Sequence, residues 1–289
     1  MPAAMPRPQP SAVPPIDSVE AAGSARTGGP LWRTRSYVGK VLAIAAMEAR
    51  KLRHDPTELL TRAIQPMLWL LVFGVVFART RAIPTGTMGY LDFLAPGILA
   101  QSVLFVAIFY GISIIWERDL GIVHKFLVSP TPRTALVLGK AVSAGTRALS
   151  QAVIVYAVAA MLGVRMNWSP TALGSVIALV MLGAALFSTF SLIIACIVKT
   201  RERFMGIGQV LTMPLFFASN AIYPIEIMPD WLKWIAHFNP LTYEVDGLRA
   251  SMLAGAASNF GLGLDVAVLG FTLAVLVAIG GWIYPRIVT

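Results

Sequence analysis

Six stretches of about 20 residues or more run almost free of charge through this chain of 289 residues. That length of apolar helix crosses a hydrocarbon core roughly 30 Å thick. The expected spans cover residues 59–77, 93–115, 135–164, 173–198, 205–222 and 266–284. In total 57% of residues are hydrophobic and 13% charged, against about 25% charged in soluble domains. One soluble core cannot hold that much apolar surface. The expected fold is therefore all-α and integral to a membrane, with six transmembrane helices.

The formal charge of +9 fits this class. Basic residues gather on the cytoplasmic side of membrane proteins and face anionic lipid headgroups. No nucleic-acid motif is present, so nucleic acid is not expected as a partner. With the N-terminus placed in the cytoplasm, 18 of the 23 Lys and Arg residues fall inside and 5 outside. Both termini are therefore expected in the cytoplasm.

Residues 1–32 are rich in Pro, Ala, Gly and Ser and read as a disordered tail, leaving 33–289 as the membrane domain. In segment 33–54, Val38, Val41, Leu42, Ala45, Ala49 and Leu52 repeat at helical spacing. This pattern predicts an amphipathic interfacial helix. Segment 223–250 mixes Trp231, Trp234 and Lys233 with acidic residues and prolines. It reads as two short, partly embedded re-entrant helices on the external side, the second starting near Pro240. Arg147 either snorkels from a long cytoplasmic extension or faces the protein interior, and the nearness of Lys140 favours snorkelling.

The sequence lacks the elements of an enzyme. His54, His124 and His237 fall on different loops, and Cys196 stands alone, so no metal site or disulfide is expected. There is no G-x-x-x-x-G-K-[ST] loop. The apolar blocks also lack the paired ionisable residues of many ion-coupled carriers. If the chain transports a cargo, its energy is expected from another polypeptide.

One charged segment, 117–133, interrupts the apolar pattern between the second and third spans. Leu120, Val123 and Leu127 share one helical face, while Glu117, Arg118, Asp119 and Lys125 offer charge to a partner. Ser129-Pro130 and Pro132 stop the helix. A short helix between two spans can turn a partner's movement into tilting of the spans. The alternative is a solvated loop that only fixes topology. Inside the spans, Gln101, Ser102, Tyr110, Gln151, Tyr156, Ser188, Ser191, Gln209 and Asn220 are polar. They serve either interhelical hydrogen bonds, the role favoured for any one of them, or a substrate path. Gln101, Tyr110, Gln209 and Asn220 are the candidates for the path.

Three short motifs then carry a resemblance. They are Phe93-Leu94-Ala95-Pro96-Gly97-Ile98-Leu99, the run from Glu117-Arg118 to Leu127-Val128-Ser129-Pro130-Thr131-Pro132-Arg133, and Pro240-Leu241-Thr242-Tyr243 with Arg249 beyond it. In this order, within a six-span layout, they resemble the membrane permease of type-2 ABC exporters. That family includes daunorubicin-resistance and nodulation lipo-oligosaccharide export proteins.

The resemblance implies a non-catalytic permease, working as a dimer, with the homodimer expected, alongside two copies of a cytoplasmic ABC ATPase. ATP and Mg would be bound by that ATPase, with no cofactor in this chain. Glu117, Arg118, Asp119, Leu120, Gly121, Val123, His124, Lys125, Phe126 and Leu127 would form the helix that couples to it. Pro240, Leu241, Tyr243 and Arg249 would belong to the family signature and external re-entrant segment. The expected function is efflux of an amphipathic drug-like or lipid-linked molecule through a bacterial plasma membrane. A polysaccharide or glycolipid exporter, or a non-transporting scaffold, is the alternative.

Overall fold

The computed structural model describes residues 64–120, 133–198 and 200–283. The expected tail, the 33–54 helix and Gly121, Val123, His124, Lys125, Phe126 and Leu127 lie outside them. The described chain is almost wholly helical. Its one β feature is an isolated antiparallel bridge between Met166 and Leu253.

In chain order the helices are α1 (Ile64–Thr80), α2 (Tyr90–Tyr110), α3 (Ile112–Asp119) and α4 (Arg133–Met161). After them come α5 (Pro170–Ile197), α6 (Arg201–Phe217), α7 (Asp230–Phe238), α8 (Pro240–Met252) and α9 (Leu262–Ile283). Among the described residues, α2, α4 over Val137–Met161, α5 and α9 are long and apolar enough to cross a membrane. The last two predicted spans differ in outcome. Helix α9 is long and apolar enough to span, as expected, whereas α6 stops at Phe217, short of residue 222, and the chain turns. The second predicted span is divided at Gly111, so α3 is a separate short helix.

Helix α2 is the hub. Eighteen of its residues are buried, and α4, α5 and α8 pack around it. Lipid tails are as apolar as Leu, so helices in a membrane associate by close packing rather than by escape from water. Small residues make that possible on α4. Ala141, Ala144, Ala148, Ala152, Val155 and Ala159 form one buried stripe at three- and four-residue spacing. This stripe lets neighbouring backbones approach closely. Conversely, Phe271, Val275, Ile279 and Trp282 of α9 are exposed, as are Leu68, Val72 and Val76 of α1. Contiguous apolar surface of this kind is suited to lipid or to another subunit.

The helix ends are locally determined. Gly163, at φ +77°, ends α4 in a Schellman turn. The Val164 N–H donates to the Ala159 carbonyl and the Gly163 N–H to Ala160. Ser169 caps α5, its hydroxyl accepting the Ala172 N–H, with Pro170 in the first turn. Asn239 does more. Its Oδ1 caps α8 at Leu241 N (3.0 Å), while Nδ2 donates to the carbonyls of Leu215 (2.6 Å) and Ala218 (3.0 Å). One amide thus closes the end of α6 onto the start of α8. The helices expected in 223–250 are α7 and α8, with Pro240 in the first turn of α8.

Candidate functional site

At the α7 end of the bundle, two of the sequence motifs meet. Pro96, inside α2, supplies no N–H to its helical hydrogen bonding. Gly97 has no side chain, and a Cβ there would collide with the backbone of Ala221. The turn after α6 therefore crosses α2 at closest approach. Arg249 of α8 locks the crossing. Its Nη2 donates to the carbonyls of Asn220 (2.8 Å) and Phe93 (3.3 Å), and its guanidinium lies 3.9 Å from the Phe93 ring centre. Burial pulls the Arg249 guanidinium down to about 10 against the attraction of Asp246 and Glu226. Leu241 is buried, and the Tyr243 hydroxyl donates to the His237 carbonyl at 2.8 Å. These signature residues hold backbone together.

Next to them, Glu244 is fully buried, and neither carboxylate oxygen has a hydrogen-bond partner. Its carboxyl occupies the space beside Gly183 of α5. Burial pushes this carboxyl well above its ordinary value, so it is held neutral more readily than a solvated glutamate.

At the opposite end of the bundle, α3 meets α6. Asp119 Oδ2 pairs with Arg201 Nη2 at 2.8 Å, and Arg201 lies 3.6 Å over the Trp116 ring. The ion pair is partly exposed and contributes roughly 0–1 kcal/mol to stability. Its value is geometric, since it fixes the end of α3 to the start of α6. Glu117 and Arg118 lie on α3, and Leu120 follows it, exposed. Asp119 and Arg201 are 82 positions apart, and their pairing is not among the sequence expectations.

Between α1, α2, α4 and α6 opens a cavity of about 400 Å³. Gln101 and Gln151 stand in its walls, both buried, while Gln65 and Gln209 are exposed at its edge. Phe105 and Phe109, stacked with centroids 6.0 Å apart, supply an aromatic side. Ile112, the first residue of α3, and Met205 complete the wall nearest the Asp119–Arg201 pair. Gln101 Oε1 is buried without a hydrogen-bond partner. Leaving such an atom unsatisfied costs about 1–3 kcal/mol.

Of the four residues expected to line a path, the cavity gathers Gln101 and Gln209. Tyr110 is placed elsewhere, with Lys140 Nζ 5.7 Å and the Arg147 guanidinium 5.2 Å from its ring centre. Arg147, half-buried, thus packs toward α2. Asn220 sits in the turn bonded by Arg249, its side-chain amide unpartnered. Gln65 is not among the sequence candidates, although it too is a polar residue inside the first predicted span.

Four membrane-length helices and exposed apolar faces define a multi-pass membrane protein. The family model for the ABC-2 type transporter matches residues 40–253, and the chain belongs to that family. It is similar to a putative transport permease ycf38 of Cyanophora paradoxa, 28% identical over 201 residues, 69% of each chain. It also resembles the daunorubicin resistance ABC transporter permease protein DrrB1 of Streptomyces coeruleorubidus, 25% identical over 224 residues, 77% of this chain and 78% of the relative. Nodulation protein J of Rhizobium leguminosarum bv. viciae is 24% identical over 254 residues, 86% of this chain and 90% of its own.

Proposed function

We propose that this chain is the membrane permease subunit of an ATP-driven exporter that moves an amphipathic molecule out of the cytoplasm or inner leaflet. Its family and the transport names of its relatives support the class. One structural relationship carries the mechanism. Ile112 stands in the cavity wall, and Asp119, seven residues later on the same helix, is tied to Arg201. Arg201 begins α6, and Met205 and Gln209, one and two turns on, line the same cavity. A push on the end of α3 is therefore transmitted to two walls of the cavity at once.

In this reading the push comes from a cytoplasmic ABC ATPase that binds ATP and Mg and seats Glu117 to Leu127 in a groove. Two ATPases and two copies of this permease form the working unit in a bacterial plasma membrane. The protein has six spans with both termini in the cytoplasm. Segment 33–54 is the interfacial helix, and α7 and α8 are the external re-entrant pair. The exposed Trp231, Trp234 and Phe238 of α7 suit the membrane–water boundary.

The experiment is co-purification followed by reconstitution. An ABC ATPase is expected to co-purify, and a fluorescent amphiphile to cross the bilayer only with hydrolysable ATP. Nucleotide-independent behaviour without an ATPase would favour the scaffold instead.

A further inference from the structure

Asp246 of α8 and Asp265 of α9 are both fully buried, and their carboxyls meet at one hydroxyl. Ser258 Oγ, in the loop joining the two helices, lies 2.7 Å from Asp246 Oδ2 and 2.9 Å from Asp265 Oδ2. The Gly261 N–H donates to the same oxygen at 2.7 Å. Asp246 Oδ1 and Asp265 Oδ1 are each buried without a hydrogen-bond partner. Among the described residues, no Lys, Arg or His forms an ion pair with either carboxyl.

The hydrogens do not balance if both carboxyls are ionised. A serine hydroxyl donates one hydrogen and accepts two. Gly261 fills one accepting position, and the single hydrogen serves one carboxylate. The other carboxylate then faces an oxygen lone pair with no hydrogen between them. Two buried anions would also stand side by side, which strongly favours protonation of one. One added proton removes both difficulties. A carboxyl O–H donates to Ser258 Oγ, and the Ser258 O–H donates to the remaining carboxylate.

The surroundings support one negative charge and not two. The Phe260 N–H donates to Asp246 Oδ2 at 3.1 Å, and Arg249 of α8 attracts the Asp246 charge. Glu226 competes for Arg249. Tyr243 feels the Asp265 charge, but its hydroxyl donates to the His237 carbonyl. His237 of α7 lies 5.8 Å from the Phe260 ring, with Nδ1 against the Lys233 carbonyl. Glu244 is packed beside Gly183, and Asp92 of α2 is engaged by Arg165. Helix α5 brings no charged residue. Lys140 and Arg147 of α4 lie by Tyr110, at the other end of α2.

We infer that Asp246, Ser258 and Asp265 form a clasp closed by one shared proton, which holds loop 253–261 and the start of α9 onto α8 and loosens as the pH rises. The protonated pair belongs to the folded state. Its contribution is therefore complete at acid pH and is lost as the proton leaves. Nothing in this inference depends on what the protein transports.

The test uses the full chain in lipid nanodiscs and reads un-ionised carboxyl by infrared difference spectroscopy. Glu244→Gln removes the signal of the other buried carboxyl. A band is expected at neutral pH, where a solvated aspartate of ordinary value, about 3.9, is ionised. It should disappear on alkalinisation. Asp246→Asn and Asp265→Asn should each abolish it alone, because either amide supplies the missing hydrogen to Ser258. If the Glu244→Gln background does not fold, subtracting each Asn variant from the wild type isolates the same band.

The loosening is read at Asn259→Cys, an exposed loop position, in a Cys196→Ala background. Its labelling by a maleimide should rise several-fold more with pH than in the same protein carrying Asp265→Asn, compared at each pH. Three results would overturn the inference. They are no un-ionised carboxyl beyond Glu244, a band that survives in one of the two Asn variants, and equal pH dependence of labelling with and without Asp265→Asn.

Discussion

Arg249 lies 3.9 Å over the ring of Phe93 and donates to the Phe93 carbonyl, joining α8 to the first turns of α2. The same nitrogen bonds Asn220, so three chain segments share one guanidinium. Arg249→Met leaves two buried carbonyls without their charged donor. The expected loss is about 2–3 kcal/mol, seen as a lower unfolding midpoint in nanodiscs. Arg249→Lys keeps the charge but not the planar fork, and should fall between wild type and Arg249→Met. A midpoint unchanged in both variants would contradict this lock.

Glu244 and Gly183 are a second such pair. A Cβ at 183 would enter the space of the Glu244 carboxyl. Gly183→Ala should therefore destabilise by about 1–3 kcal/mol through overpacking. Glu244→Ala in the same chain should relieve much of that, so the two changes will be non-additive in a double-mutant cycle. Additive losses would show that the two residues do not compete for space.

The same carboxyl predicts a pH dependence. Burial raises Glu244 above its ordinary value of 4.5, so the folded state favours the neutral acid. Its contribution is complete below the unfolded value, about 4.3. It is lost progressively as the pH rises toward the folded value. Glu244→Gln should flatten this part of the stability–pH curve and raise stability at neutral pH. The check is thermal unfolding from pH 4 to about pH 8; parallel curves for the two proteins would contradict it.

Much of the frame was legible because apolar length and charge placement are local properties. Helices α2, α4, α5 and α9 appear where the hydrophobic runs placed spans, and Pro240 begins α8 as its residue type dictates. The break at Gly111 was not legible, since 93–115 is apolar on both sides of it. Nor was the end of α6, set by tertiary bonds from Asn239 to Leu215 and Ala218. The motifs at 93–99 and 240–249 were each visible, but their contact depends on Gly97 letting Ala221 cross. The cavity was half legible. Gln101 and Gln209 were candidates because they interrupt apolar runs, while Gln65 joined them only through the packing of α1 against α2 and α6.

Topology gives a further prediction. With both termini in the cytoplasm, the turn at Gly86 and the turn at Gly163 lie outside, and Leu120 lies inside. Single cysteines in a Cys196→Ala background should separate accordingly. A membrane-impermeant maleimide added to intact cells should label Gly86→Cys and Gly163→Cys, and Leu120→Cys only after lysis. The reverse pattern would overturn the orientation.

The most direct measurement concerns Asp119 and Arg201, which tie the end of α3 to the helix that walls the cavity. It is ATP-dependent movement of a fluorescent amphiphile in proteoliposomes holding this chain and its ATPase. Asp119→Arg should cut the rate several-fold with little change in unfolding midpoint, because a partly exposed pair contributes no more than about 1 kcal/mol. Adding Arg201→Asp should restore most of the rate by rebuilding the pair in reverse. A rate untouched by Asp119→Arg, or transport that proceeds without ATP, would contradict the account.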